Sequence, residues 1–127
     1  MSLRCLIVDD NASFMEAARG LLERQGVTVV GVATTAAEGL RGSKELEPDV
    51  ILVDIDLGSD SGFSVARQLA DRAANASANV ILISTHPQED FADLVADSAA
   101  VGFLAKSELS REAIERLLGR SDPARPA

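Results

Sequence analysis

Short apolar runs alternate with longer amphipathic segments along most of the chain. The runs are rich in Val, Ile and Leu, and the first lacks the polar alternation of a half-exposed strand, as expected where both faces of a sheet are covered. Regular alternation of this kind is typical of βαβ units around a parallel sheet. The predicted strands 1 to 5 are Arg4–Val8, Val27–Ala33, Asp49–Val53, Val80–Ser84 and Val101–Ala105.

The segments between the runs carry apolar stripes with a helical period. Gly26 is placed to end the first helix as its C′ residue. Thr35 and Glu38 have the spacing of a capping box at the start of the second helix, and Ser110 is a candidate N-cap for the last helix. The predicted helices 1 to 5 are Ala12–Gln25, Ala36 to about Lys44, Phe63–Ala73, Gln88–Ser98 and Ser110–Leu118.

Five strand–helix units predict an α/β fold, a three-layer, flavodoxin-like, doubly wound parallel sheet with strand order 2-1-3-4-5. The chain has 127 residues, about the length of one domain. We expect that domain to cover residues 1–119. Residues 120–127 are rich in Pro and Ala and read as a flexible tail or the start of a linker.

Composition narrows the function classes. The formal net charge is −8, which argues against direct nucleic-acid binding by this chain because phosphate backbones attract basic surfaces. No apolar run approaches the roughly 20 residues of a membrane-spanning helix, and the N-terminus lacks the pattern of a signal peptide. These two features predict that the protein has no membrane partner. The single cysteine, Cys5, lies in an apolar run and predicts a buried thiol in a cytoplasmic protein.

Polar side chains follow four of the predicted strands. Asp9 and Asp10 come after strand 1, Asp54 after strand 3, Ser84 ends strand 4, and Lys106 follows strand 5. The carboxyl ends of parallel strands meet at one edge, where ligands bind in open α/β sheets. Because the predicted order puts strand 1 beside strand 3, the three carboxylates should lie close together.

Clustered carboxylates repel one another, and a divalent cation removes that conflict. Mg²⁺ prefers oxygen ligands and commonly takes one or two carboxylates together with phosphate oxygens. A carboxylate can also attack phosphorus to form an aspartyl phosphate, while the metal and a lysine neutralise the charge of the transferring group. The set of residues therefore predicts metal-dependent phosphoryl chemistry.

Over about Leu3–Leu118 the chain resembles the receiver domain of two-component response regulators. The resemblance is carried by the acidic pair after strand 1, the aspartate after strand 3, Ser84-Thr85, and the Gly-Phe-Leu-x-Lys sequence of 102–106, in family order and spacing. It implies that Asp54 is the phosphoacceptor and also a metal ligand, and that Asp10 binds the metal directly, Asp9 through a water molecule and Asp56 through its backbone carbonyl. It further implies that Ser84 is the phosphoryl-sensing hydroxyl, Phe103 the switching aromatic and Lys106 the phosphate contact.

The resemblance also implies a function and partners. A histidine kinase or histidine phosphotransfer domain would donate a phosphoryl group to Asp54 with Mg²⁺ or Mn²⁺. The chain would then be a signalling switch rather than an enzyme, catalysing only its own phosphorylation and dephosphorylation. Phosphorylation would remodel the helix 4–strand 5–helix 5 face to control an output, a partner or a homodimer. A DNA-binding output domain would belong to a longer protein.

Several positions depart from the family pattern. Ser107 stands where a proline, often in a cis bond, usually follows the lysine. Gly58 replaces a common proline, and Thr85 replaces a common alanine that leaves more room beside the site. Asp56 and His86 occupy positions that tune phosphoryl lifetime in the family.

Alternatives remain open from the residues alone. Asp54 and the acidic pair could be strand-end caps, Lys106 a solvated lysine, and Phe103 plain core. The sequence of 54–59 resembles the first motif of haloacid-dehalogenase-type phosphatases, which also form an aspartyl phosphate, although they carry it after the first strand. A pseudo-receiver scaffold that binds without phosphorylation is the third alternative.

Overall fold

The computed structural model describes residues 3–57, 60–72, 79–85, 93 and 100–119. In this part of the chain the helices are α1 (Ala12–Arg24), α2 (Ala36–Leu46), α3 (Gly62–Arg72) and α4 (Arg111–Leu118), with a 3₁₀ turn at Lys106–Glu108. The strands are β1 (Leu3–Val8), β2 (Val27–Ala33), β3 (Val50–Asp54), β4 (Asp56–Leu57), β5 (Asp60–Ser61), β6 (Asn79–Ser84) and β7 (Gly102–Ala105).

A five-stranded parallel sheet organises the fold, with strand order β2-β1-β3-β6-β7. Since β6 and β7 are the fourth and fifth predicted strands, this confirms the flavodoxin-like order. The register pairs Val8 of β1 with Val53 of β3, and Asp54 with Ile83 of β6. Asp9 and Asp54, each one residue further along its strand, therefore meet at the same edge.

Side chains on the two faces of the sheet enter separate cores, which gives the three layers. Every residue of β3 is buried, and alternate positions point to opposite faces. One core joins the sheet to α1 and α4 through Cys5, Ile7, Leu52, Ile81, Leu22 and Ile114. The other joins it to α3 and the start of α2 through Leu6, Val8, Ile51, Leu82, Val65 and Leu69, with Ala36 and Leu40 packed against it.

The helix ends follow the predicted caps. The Thr35 hydroxyl accepts a hydrogen bond from Glu38 N at 3.1 Å, and the Ser110 hydroxyl accepts from Ala113 N at 3.0 Å. The Glu38 carboxylate accepts from the backbone N of Thr34 at 2.9 Å, one residue before the N-cap that a standard capping box would use. Gly26 has φ of 89°, the left-handed conformation expected of a C′ residue.

The segment after Asp54 contains two short strands that the sequence analysis does not predict. β4 and β5 form a short antiparallel hairpin, which Gly62 closes by donating its N–H to the carbonyl of Ile55 at 3.0 Å. A Cβ at Gly62 would overlap the backbone carbonyl of Asp54, so only glycine permits this close approach. The hairpin holds the chain that leads away from Asp54.

Element ends otherwise differ from prediction by one or two residues, the usual uncertainty of helix and strand boundaries. Within the predicted helix at 88–98 the structure describes only Asp93, which is helical. The rest of that helix, the tail at 120–127, and the residues Gly58 and His86 lie outside the described residues. None of the helices in the described part of the chain has the length and apolar character of a membrane span.

Candidate functional site

Asp9 is a fully buried acid at the end of β1, with 0% of its surface exposed. Its backbone N donates to the carbonyl of Ala33 at 2.9 Å, which extends the sheet by one residue. Its Oδ1 accepts from the backbone N of Asn11 at 2.8 Å, and this bond turns the chain into α1. Asp10 follows and is exposed. The acidic pair therefore combines one buried and one exposed carboxylate.

Asp54 is the last residue of β3 and is 7% exposed. Its Oδ1 accepts a hydrogen bond from the backbone N of Asp56 at 3.1 Å. Its Oδ2 lies 3.4 Å from the ammonium of Lys106. One carboxylate oxygen is thus held by the backbone, while the other lies beside a positive charge.

Lys106 brings that charge into the cluster from the end of β7. Its Nζ lies 2.7 Å from Asp9 Oδ2 and 3.4 Å from Asp54 Oδ2, and 4.3 Å from the centre of the Phe14 ring. Only 10% of the Lys106 side chain is exposed. The structure therefore brings the predicted lysine to both buried acids and adds an aromatic contact that the sequence analysis missed.

The donor set fits a divalent cation. Carboxylate oxygens of Asp9, Asp10 and Asp54 all lie within 4.8 Å of one another. Among the described residues, the buried Oδ2 of Asp9 accepts no hydrogen bond of good geometry, and the Lys106 ammonium is its ion-pair partner. Three carboxylates are the hard oxygen ligands that Mg²⁺ prefers. An acidic cluster whose chemistry suits a divalent cation therefore lies at this edge of the sheet.

Burial raises the pKa of the Asp54 carboxyl to about 6. The negative charge of Asp9 acts in the same direction, whereas the N–H of Asp56 and the ammonium of Lys106 oppose the rise. Ionised Asp54 is therefore held in a costly environment at neutral pH. A bound cation would relieve that cost.

Ser84 lies on β6, the strand beside β3, and Phe103 lies on β7, the strand beyond β6. Ser84 ends β6, one residue beyond the partner of Asp54, and pairs with Ala105 of β7. Its side chain is buried at the same edge as the acids. Phe103 pairs with Leu82 and is buried in the core that faces α3. Ser84 thus lies on the strand next to the phosphoacceptor candidate, and Phe103 lies one strand further out.

Three of the positions that depart from the family pattern can be placed. Ser107 is exposed in the 3₁₀ turn after β7, and none of the peptide bonds in the described residues is cis. Thr85 is exposed just beyond β6. The side chain of Asp56 is exposed, while its backbone N is bound to Asp54.

The chain belongs to the response regulator receiver domain family, whose sequence profile it matches over residues 5–118. Receiver domains are phosphorylation-activated signalling switches that act with histidine kinases or phosphotransfer partners, and as a class they are generally not enzymes. This chain is therefore a receiver-type switch. The family match leaves the haloacid-dehalogenase alternative without support, and its motif here follows β3 rather than the first strand.

The chain is similar to a transcription regulator of Bordetella pertussis and to a protein of Pseudomonas aeruginosa. The chain is 29% identical over 111 residues to the virulence transcription regulator BvgA of Bordetella pertussis, a match that covers 87% of this chain and 52% of BvgA. It is 35% identical over 86 residues to the protein PilH of Pseudomonas aeruginosa, covering 68% of this chain and 70% of PilH. The chain thus spans about half the length of the transcription regulators it matches.

Solved structures agree with the fold. The signal receiver domain of the response regulator NarL from Mycobacterium tuberculosis is 30% identical and superposes with a TM-score of 0.78, covering 98% of both chains. A response regulator from Burkholderia pseudomallei, determined with a phosphorylated aspartic acid and a calcium ion, is 27% identical with a TM-score of 0.77. That match covers 90% of this chain and 65% of the other.

Proposed function

We propose that Asp54 is the phosphoacceptor of this receiver domain. The observation that supports this most is the combination of its burial, its Oδ2 3.4 Å from the Lys106 ammonium, and the carboxylate of Asp9 beside the same ammonium. A carboxylate oxygen of Asp54 would form the new O–P bond as the N–P bond of a partner's phosphohistidine breaks. The histidine nitrogen keeps the bonding electron pair and leaves as the partner's imidazole.

Asp10 and Asp54 would hold Mg²⁺ or Mn²⁺ directly, with the backbone carbonyl of Asp56, while Asp9 would act through a water molecule. Bound there, the metal supplies positive charge that neutralises the transferring phosphoryl group. The carboxylate cluster supports this assignment. Lys106 supplies a second, fixed positive charge, already beside Asp54 before any phosphoryl group arrives.

The chain would form and hydrolyse only its own aspartyl phosphate. It would catalyse its own phosphorylation and dephosphorylation, and turn over no other substrate. The donor would be the phosphohistidine of a histidine kinase or a histidine phosphotransfer domain. A cytoplasmic location agrees with the buried free thiol of Cys5.

Phosphorylation would be sensed by Ser84 and Phe103 and read out on the face formed by the predicted helix at 88–98, β7 and α4. The position of Ser84 supports this role, because Ser84 lies at the same sheet edge as Asp54 and pairs with Ala105 of β7. A local charge change next to a two-state element can shift the population of that element. The readout would be an altered partner contact or a homodimer through this face.

The receiver domain would cover residues 1–119, with residues 120–127 as a tail or the start of a linker. Because the match spans 52% of BvgA, an output domain in a longer protein would be consistent with this arrangement. The present chain, with a net charge of −8, would not itself bind nucleic acid.

Phosphotransfer from a phosphorylated histidine-kinase domain tests this function. Radiolabelled phosphate should appear on the wild type and on Glu45→Gln, a control at an exposed acid of α2, but not on Asp54→Asn. Amide exchange of β7 and α4, and sedimentation, should change on phosphorylation. Label on Asp54→Asn would overturn the phosphoacceptor assignment. Unchanged exchange and unchanged sedimentation would overturn the proposed readout face.

A further inference from the structure

Phe14 contacts the site although its sequence position suggested only a place on the apolar stripe of α1. It lies in the first turn of α1 and is half-buried. The Lys106 ammonium lies 4.3 Å from the centre of its ring, well within the roughly 6 Å of a cation–π interaction. The ring therefore contacts the charged group of Lys106 in addition to packing between α1 and the sheet.

Hydrogen bonds tie the ring to the acidic pair. Asp9 Oδ1 accepts from the backbone N of Asn11 at 2.8 Å. The side chain of Asn11, as N-cap of α1, then accepts from the backbone N of Phe14 at 3.0 Å. The position of the ring is therefore set by the same carboxylate that binds the lysine.

The Lys106 ammonium thus has three neighbours that attract it. Two are the carboxylates of Asp9 and Asp54, at 2.7 and 3.4 Å, and the third is the ring. A lysine side chain has many rotamers and keeps its head in water where it can. With only 10% of the side chain exposed, the ring replaces part of the hydration that the ammonium gives up.

We propose that Phe14 is a positioning residue for phosphoryl transfer to Asp54. Its ring holds the Lys106 ammonium in the carboxylate cluster, so that the cation is in place before the phosphoryl oxygens arrive. Charges that are already oriented need no reorganisation during the reaction, which is the source of their effect on rate. The proposal rests on the proposed function, because it concerns the same transfer.

Two substitutions distinguish the effect of the aromatic face of Phe14 from the effect of its side-chain volume. Phe14→Leu keeps an apolar side chain but removes the aromatic face, whereas Phe14→Tyr keeps the face. With a small-molecule phosphodonor and saturating Mg²⁺, we expect Phe14→Leu to be phosphorylated roughly 3- to 10-fold more slowly than wild type. Phe14→Tyr should remain within about two-fold of it. Phe14→Met replaces the leucine variant if that variant does not fold.

A double-mutant cycle in thermal stability shows whether Phe14 acts through Lys106. If it does, Phe14→Leu should lower the unfolding midpoint clearly in the wild type and much less in a Lys106→Met background. A ring that served packing alone would give equal shifts in both backgrounds, and that result would overturn the proposal.

The rate measurement also distinguishes a failure of the proposed role of Phe14 from a failure of the proposed phosphorylation of Asp54. Absence of phosphorylation on the folded wild type would contradict the proposed function itself. Normal phosphorylation of the wild type, with Phe14→Leu as fast as Phe14→Tyr, would overturn only the role of Phe14. A slow leucine variant restored by tyrosine is the result that the proposal requires.

Discussion

The Lys106 ammonium lies nearer to Asp9 than to Asp54, with Nζ–Oδ2 distances of 2.7 and 3.4 Å. The lysine is therefore the counterion of two buried acids in the absence of a metal. A divalent cation that enters the cluster meets carboxylates that are already partly neutralised. Lys106 should stabilise the metal-free fold and weaken metal binding at the same time.

Lys106→Met should destabilise the metal-free protein and enlarge its response to Mg²⁺. Removing one partner of a buried ion pair leaves a charge uncompensated, and we expect a loss of about 2–4 kcal/mol in the free energy of unfolding. Because Mg²⁺ binds the folded state, its stabilising effect grows with affinity. Thermal unfolding with chelator and with Mg²⁺ measures both effects.

The exposed Lys44 in the last turn of α2 gives a matched control. Lys44→Met changes the net charge equally but should leave both measurements within about 0.5 kcal/mol of wild type. A Mg²⁺ response that is smaller in Lys106→Met than in wild type would show that the lysine assists metal binding instead.

Asp54→Asn should stabilise the metal-free protein at neutral pH. The pKa of Asp54 is raised from 3.8 to about 6, mainly by burial, so the folded state binds the proton more tightly than the unfolded chain does. The favourable contribution of the protonated form is complete below pH 3.8 and is lost as the pH rises through about 6. Above that pH, the ionised carboxylate is a cost that asparagine does not carry.

The gain in the free energy of unfolding should be about 1–2 kcal/mol at pH 7.5, after allowance for the Lys106 ammonium beside the carboxyl. The gain should shrink as the pH falls below about 5. Urea unfolding in the presence of chelator across this range is the measurement. An Asp54→Asn variant that is less stable than wild type at pH 7.5 would contradict the raised pKa.

Gly62→Ala should displace the backbone at Asp54 and so disturb the site. A Cβ there would overlap the Asp54 carbonyl, so the hairpin must shift, at a cost of about 2–4 kcal/mol. Phosphorylation of Asp54 should slow as well. In Gly20→Ala, by contrast, the new Cβ finds Arg24 Nη1 at 3.6 Å, an ordinary contact inside α1.

Gly20→Ala should therefore raise the free energy of unfolding by about 0.5–1 kcal/mol, as alanine does in helix interiors. Equal stabilities for the two alanine variants in urea would show that the hairpin tolerates a side chain at Gly62.

The thiol of Cys5 should be inert in the folded protein. It has no exposed surface, and burial raises its pKa to about 12, so the thiolate that reacts with alkylating agents is scarce. Labelling at pH 8 should be slower by about 10³ or more than in denaturant, because it must await unfolding. Labelling of the native protein at the rate of the denatured chain would refute the buried placement.

The strand order and the acidic edge could be predicted because both depend on local pattern. The apolar runs identify the strands, and Asp9, Asp54 and Lys106 each follow one. The contact between Lys106 and Phe14 could not be predicted, since it depends on how a long side chain reaches from the end of β7 to the first turn of α1. The hairpin after Asp54 depends on the space left by Gly62, which no periodicity reveals.

The most direct measurement of the central claim is the intact mass of the protein after incubation with a small-molecule phosphodonor and Mg²⁺. The wild type should gain one phosphoryl group, Asp54→Asn should gain none, and chelator should abolish the gain. A folded wild type that gains no mass, even from a phosphorylated histidine-kinase domain, would contradict Asp54 as phosphoacceptor and leave a scaffold that binds without phosphorylation.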